Sequence, residues 1–143
     1  MEKEVKFRLI KHITFLENEL KDFKNFESLS WEEYNSERDK RRNVERWIEN
    51  IINSSIDIAK IILSYEGQSL ADTYKEMIER LAVLPSFDKK NIEQLSRWVR
   101  LRNIISHEYL DIRWSSIKKF ISEARLFYED FLEKAKAYLE KRT

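Results

Sequence analysis

Apolar residues recur at every third or fourth position along most of this chain, the spacing that gives an α-helix one buried stripe. Val5, Leu9, Ile13, Leu16, Leu20 and Phe23 predict a first helix over residues 2–25. Ser30-Trp31-Glu32-Glu33 reads as a capping box, in which Ser30 and Glu33 satisfy each other's unpaired backbone donors. A second helical region follows to residue 65, with a break expected at 36–39 and an apolar face of Val44, Trp47, Ile48, Ile51, Ile58 and Ile62. Gly67 is placed to end it. A third helix over 69–84 presents Leu70, Tyr74, Met77, Ile78 and Leu81, and Pro85 stops it. A fourth starts near Asp88 and runs to His107 through Ile92, Leu95 and Val99. Asp111 is the expected N-cap of the fifth, whose stripe is Ile117, Phe120, Ala124, Phe127, Phe131, Ala135 and Tyr138. The pattern predicts an all-α, up-and-down bundle of four to five helices.

Composition reinforces this picture. With one Gly and one Pro in 143 residues, the many turns of a β-fold are not available. The length suits a single domain over 1–143. A net charge of +1 gives no overall pull toward nucleic acid or membrane, so any RNA contact has to come from a local basic cleft. The absence of cysteine removes disulfides, thiol catalysis and cysteine-based metal sites, and one glycine rules out a glycine-rich phosphate loop. The two histidines lie far apart in sequence and the acids follow surface spacing, so no metal site and no cofactor is expected. The charged N-terminal stretch lacks the apolar core of a signal peptide, and no segment reaches membrane-spanning length; a cytoplasmic protein with no membrane partner is expected.

One residue breaks the pattern. Around helix four, Ile92, Leu95, Trp98, Val99, Leu101, Ile104 and Ile105 form one arc, while Glu93, Ser96, Arg97, Arg100 and Asn103 fill the other. Arg102 falls inside the apolar arc, where an unpaired guanidinium is costly. It needs a structural acid such as Asp57, a snorkelling path to water, or an open cleft with a phosphate. His107 follows five residues later, and five ideal helical steps turn the side chain by ~140°. The helix must therefore end or distort near His107, or the site is shared with a second copy of the chain. His12, on the first helix, has no evident companion and reads as a surface residue.

The run Arg102-Asn103-Ile104-Ile105-Ser106-His107-Glu108-Tyr109 resembles the signature of HEPN domains: an arginine, a polar residue, a few variable positions, then histidine. The tyrosine two places after the histidine is similar to the HepT-like toxins of HEPN–MNT toxin–antitoxin pairs. The stretch from Asp39 to Arg46, followed by Ile56-Asp57-Ile58-Ala59, resembles the family's second helix. Asn53 stands where many relatives carry an acid, four residues before Asp57.

The resemblance implies metal-independent RNA cleavage, with the ribose 2′-hydroxyl attacking the neighbouring phosphorus. Arg102 and His107 become the catalytic pair, since histidine moves protons near neutrality and arginine offers a fixed fork of donors to phosphate. The reaction needs two proton transfers and the motif supplies one histidine, so the resemblance implies a homodimer with both copies of His107 in one cleft. Asn103 would orient the histidine or the phosphate, and Ser106 would add a hydrogen bond. Arg97 and Arg100 would guide the RNA backbone, or simply form a solvated charged face. Tyr109 is the implied site of adenylylation by a partner nucleotidyltransferase antitoxin, which would silence the enzyme by charge and bulk. Trp98 and Trp114 bracket the motif and are candidates to line its cleft; all four tryptophans suit packing better than base stacking. The competing reading is a non-catalytic helical partner of a nucleotidyltransferase that binds a nucleotide or RNA in the same pocket.

Overall fold

The computed structural model describes residues 1–142. Its helices are α1 (Lys3–Leu20), α2 (Phe23–Phe26), α3 (Trp31–Ser36), α4 (Arg38–Tyr65), α5 (Tyr74–Glu79), α6 (Lys89–Trp98), α7 (Leu101–His107), α8 (Leu110–Glu123) and α9 (Arg125–Glu140), with a 3-10 turn at Arg80–Val83. The described residues contain no strand, and the fold is all-α as the periodicity predicts. No helix among them is long and apolar enough to cross a membrane.

The long helix α4 is the axis of the bundle, with α1, α3, α5 and α7 packed against it. α1 runs antiparallel to α4: the Trp47 indole N–H donates to the Glu19 carbonyl at 2.7 Å, His12 faces Asp57, and Arg8 shares a groove with Tyr65. α9 covers α1 and α6. Their apolar faces meet in one core, in which Phe120 is packed by Phe23, Trp47, Trp98 and Tyr128. The edge-on contacts of Trp47 and Trp98 add to the burial of these large rings.

Local signals in the sequence form as expected. Ser30 and Glu33 make the reciprocal capping box at the start of α3. Ser30→Ala should cost about 1 kcal/mol of stability, readable as a fall in chemical-denaturation midpoint with unchanged slope. At the end of α4, Gly67 adopts φ +74°, the Gln68 N–H bonds the Leu63 carbonyl at 2.9 Å, and the Gly67 N–H bonds that of Ser64 at 3.1 Å. This is a Schellman ending, and its left-handed residue favours glycine. Asp88 caps α6 through the Asn91 N–H, and Asn91 is buried where its amide donates to the Phe127 carbonyl on α9.

Several boundaries depart from the periodic reading. The first helix stops at Leu20, where Lys21 and Asp22 bond the carbonyls three residues back. The third is far shorter than 69–84: α5 begins at Tyr74, capped by Thr73, and both Leu70 and Tyr74 stay exposed. The fourth is two helices, because Arg100, Arg102 and Asn103 all donate to carbonyls three residues back and tighten the turn at Val99–Arg100. The fifth is also two, interrupted at Ala124 alone. Asp111 is not an N-cap: Tyr109 occupies that position and Asp111 lies in the first turn of α8. Ser96, expected on the polar side, is buried and donates to the Glu93 carbonyl.

Candidate active site

The motif occupies α7 and the turn after it. The tightened turn at Val99–Arg100 sets α7 off from α6, and Leu101 and Ile105 anchor α7 in the core. Arg102 is half-buried, with its guanidinium carbon 4.6 Å from the centre of the Tyr74 ring on α5. Asp57 is not its partner. That carboxylate instead faces His12 Nδ1 at 3.9 Å, so His12 is half-buried with a companion rather than a lone surface residue.

His107 is the last residue of α7 and is exposed. As α7 is continuous from Leu101 to His107, Arg102 and His107 leave it ~140° apart. On one helix the two side chains therefore start out from different faces. Asn103 lies one turn before His107 on the same exposed face, the i, i+4 spacing at which side chains are neighbours. Ser106 lies over Arg102 and donates its hydroxyl to the Arg102 carbonyl at 3.0 Å, which commits its proton to the helix. Tyr109 is 83% exposed, the most open of the large hydrophobic side chains.

Arg100 is exposed at the turn before α7. Arg97, on α6, pairs with Glu93 at 3.1 Å across an exposed helical face, an interaction weak enough to exchange for another anion. Trp98 and Trp114 do not line one cleft together: Trp98 packs edge-on to Phe120, while Trp114 is tilted against Tyr34 and Trp31 and lines a separate groove with Phe26 and Leu29. Among the described residues no cluster of three or more His, Cys, Asp or Glu is arranged to hold a metal.

The turn after His107 is tied to the bundle by residues that the periodic reading did not single out. Glu108 has extended backbone, and its carbonyl accepts from Arg113 Nε at 2.7 Å. Arg113 reaches on to Glu45 of α4 at 3.3 Å, and the Tyr34 hydroxyl donates to the same carboxylate oxygen. Burial, and then the Glu45 carboxylate, push the Tyr34 hydroxyl well above the ordinary tyrosine range. The chain Tyr34–Glu45–Arg113–Glu108 thus fixes where His107 and Tyr109 emerge. Nothing local signals it, since Glu45 and Arg113 meet only through the packing of α4 against α8. Arg113→Ala should cost about 1–3 kcal/mol, because Glu45 is left largely buried without its guanidinium. Thermal melts of Arg113→Ala and of the double variant with Glu45→Gln check this, and the double variant should recover part of the loss.

Residues 16–135 match the family model described as Ribonuclease HepT-like. No curated protein matches the chain. The matched span runs from α1 into α9 and takes in the whole Arg102–Tyr109 segment together with α4 and its Glu45 and Asp57. On that match, over well more than half its length, the chain belongs to the HepT-like ribonuclease family, and RNA is the substrate class that membership implies.

Proposed function

We propose that this ribonuclease is the toxin of a HEPN–MNT toxin–antitoxin pair, a metal-independent endoribonuclease whose active site forms between two copies of the chain. The observation that carries the reading is the direction of Arg102 and His107 on α7. They leave one helix on different faces, and His107 is exposed, as is Tyr109 two residues on. A two-fold interface over α7 joins each Arg102 to a cleft holding both copies of His107.

In that cleft one neutral His107 imidazole takes the proton of the ribose 2′-hydroxyl as the 2′-oxygen bonds to phosphorus. The bond from phosphorus to the 5′-oxygen breaks, and the protonated His107 of the second copy gives that oxygen its proton. The products are a 2′,3′-cyclic phosphate and a free 5′-hydroxyl. Arg102 donates to the phosphorane oxygens as their charge grows, and its charge persists at every working pH. Asn103, one turn from His107, orients the ring. Ser106 supports Arg102 through its backbone carbonyl. Arg100 and Arg97 meet flanking phosphates, Arg97 by giving up Glu93.

Tyr109 is the point of control. Its exposed hydroxyl accepts AMP from a nucleotidyltransferase antitoxin, and the added phosphodiester repels and blocks RNA phosphate at the cleft.

The test is cleavage in EDTA of an RNA oligonucleotide and of its twin bearing one 2′-deoxy residue at the mapped cut site. The protein is first shown to be dimeric by sedimentation and free of AMP by mass. Cutting of the all-RNA strand alone is the expected result. Cleavage of the deoxy twin at that bond overturns the 2′-hydroxyl mechanism, and a requirement for divalent metal overturns metal independence. If dimeric, AMP-free protein leaves total cellular RNA intact, a non-catalytic partner of the nucleotidyltransferase replaces the enzyme.

A further inference from the structure

Tyr74 carries two cations on one ring. Arg102 lies 4.6 Å from the ring centre and the Lys60 ammonium 5.2 Å from it, while 47% of the residue remains exposed. Significant cation–π contacts occur about once per 70–80 residues, so two on a single ring is an unusual concentration. Neither cation has a carboxylate partner among the described residues; their side-chain interactions are both with Tyr74. Both cations lie against the one ring, so an anion bound beside it is attracted by each of them.

Lys60 also lines a groove of about 500 Å³ between α1 and α4, together with Arg8, Tyr65 and Leu70. The volume is within the range of small-ligand sites. Tyr65 and Leu70 are 42% and 56% exposed. Glu2 is the one acid on its wall, against Arg8 and Lys60. Basic side chains alternating with open aromatic rings are what a nucleic acid strand requires, with cations for its phosphates and flat faces for its bases.

We propose that Tyr74, Lys60 and the Arg8–Tyr65 groove form a nucleotide subsite that holds unpaired RNA running away from the phosphate at Arg102. This rests on the placement of the scissile phosphate at Arg102 given above, and it names the substrate class as single-stranded RNA. One base packs against the exposed part of the Tyr74 ring, and its phosphate is met by Lys60 and Arg102. The next nucleotide enters the groove against Tyr65. Bases within a duplex are stacked on one another and have no free face for Tyr74, so paired RNA is excluded.

The experiment is fluorescence-anisotropy binding of a 2′-O-methyl oligonucleotide to the full chain, in EDTA, compared with a 2′-O-methyl hairpin of the same length. The methyl group blocks cleavage, so binding is read whether or not the protein is a nuclease. The single strand should bind at least about tenfold more tightly than the hairpin. Tyr74→Ala should weaken it by about five- to a hundredfold, the worth of one stacked base, while Tyr74→Phe retains wild-type binding. Lys60→Gln should lower the slope of log affinity against log salt by about 0.7, one phosphate contact on a single strand. Melting curves establish that each variant is folded; if Tyr74→Ala is not, Tyr74→Leu keeps apolar cover without the π-face and takes its place. Equal binding of strand and hairpin, no binding of either, or a folded Tyr74→Ala or Tyr74→Leu variant with wild-type affinity overturns the subsite. None of these results touches the ribonuclease reading, which is judged by cleavage of unmodified RNA. Conversely, the expected binding pattern with no cleavage leaves the subsite standing and removes the nuclease.

Discussion

His107→Ala is expected to slow RNA cleavage by about 10²–10⁴-fold, the usual worth of a positioned general acid or base. The larger value applies here, because a homodimeric cleft would lose both proton-transfer groups at once. Stability should barely change. His107 is exposed at the end of α7, and its imidazole makes no ion pair among the described residues. The measurement is initial cleavage rate of the unmodified oligonucleotide beside a thermal melt, with binding of the uncleavable strand as the third reading. Loss of rate with unchanged melt and unchanged binding assigns His107 to chemistry. A rate within about threefold of wild type would remove His107 from the mechanism. Arg102→Ala should differ in kind: it takes away one of the two cations on Tyr74 and, on the proposed mechanism, the charge that faces the phosphorane, so rate and binding are expected to fall together.

A steep loss of stability above pH ~10 is the second large effect, and it comes from the core. Tyr34, Tyr128 and Tyr138 are at most 1% exposed. Burial raises the hydroxyl of each well above the ordinary tyrosine range, and for Tyr34 and Tyr138 the carboxylates of Glu45 and Glu66 add to it. A raised value in the folded state means that the native protein keeps three protons that the unfolded chain releases. Their contribution is fully present below the unfolded value near 10 and is lost as pH climbs toward the folded ones. The loss is about 1.4 kcal/mol per tyrosine per pH unit, or about 4 kcal/mol per unit for the three together. Against a typical total of 5–15 kcal/mol, unfolding is expected by about pH 12–13. Circular dichroism and tyrosinate absorbance followed together across the titration should show helix loss in step with ionisation of the buried rings. Tyr128→Phe should make the stability slope shallower by about a third. Full helix content with all six tyrosines ionised would show that these hydroxyls are not held by the fold.

The residues that read correctly in the sequence are those whose partners are within a few positions. Ser30 with Glu33, Gly67 with Leu63 and Ser64, and Asp88 with Asn91 are closed by the backbone geometry of one helix end, so residue type and spacing suffice. The anomaly of Arg102 was legible for the same reason, as one charged residue in an apolar arc. Its partner was not. Asp57 satisfied charge on paper, yet the packing of α1 on α4 gives that carboxylate to His12. The breaks at Val99–Arg100 and Ala124 were illegible because neither involves glycine or proline. A tightened turn costs little there and is selected by what the two flanking helices pack against.

The run from Arg102 to Tyr109 was singled out by its resemblance to the HEPN signature; from sequence alone the protein was determined to be an all-α bundle with a buried stripe on each long helix and one charge, Arg102, out of place in its arc. Those properties depend on period and local hydrogen bonding, which a linear pattern carries. Only the tertiary structure decided that Tyr74 leaves its apolar stripe to lie under Arg102 and Lys60, and that Arg113 reaches Glu45 to hold the turn after His107. The physical reason is common to both. Each is a contact between helices distant in sequence, chosen by how α4 is packed by α5, α7 and α8, and no helical period encodes which residue will be waiting on the other side.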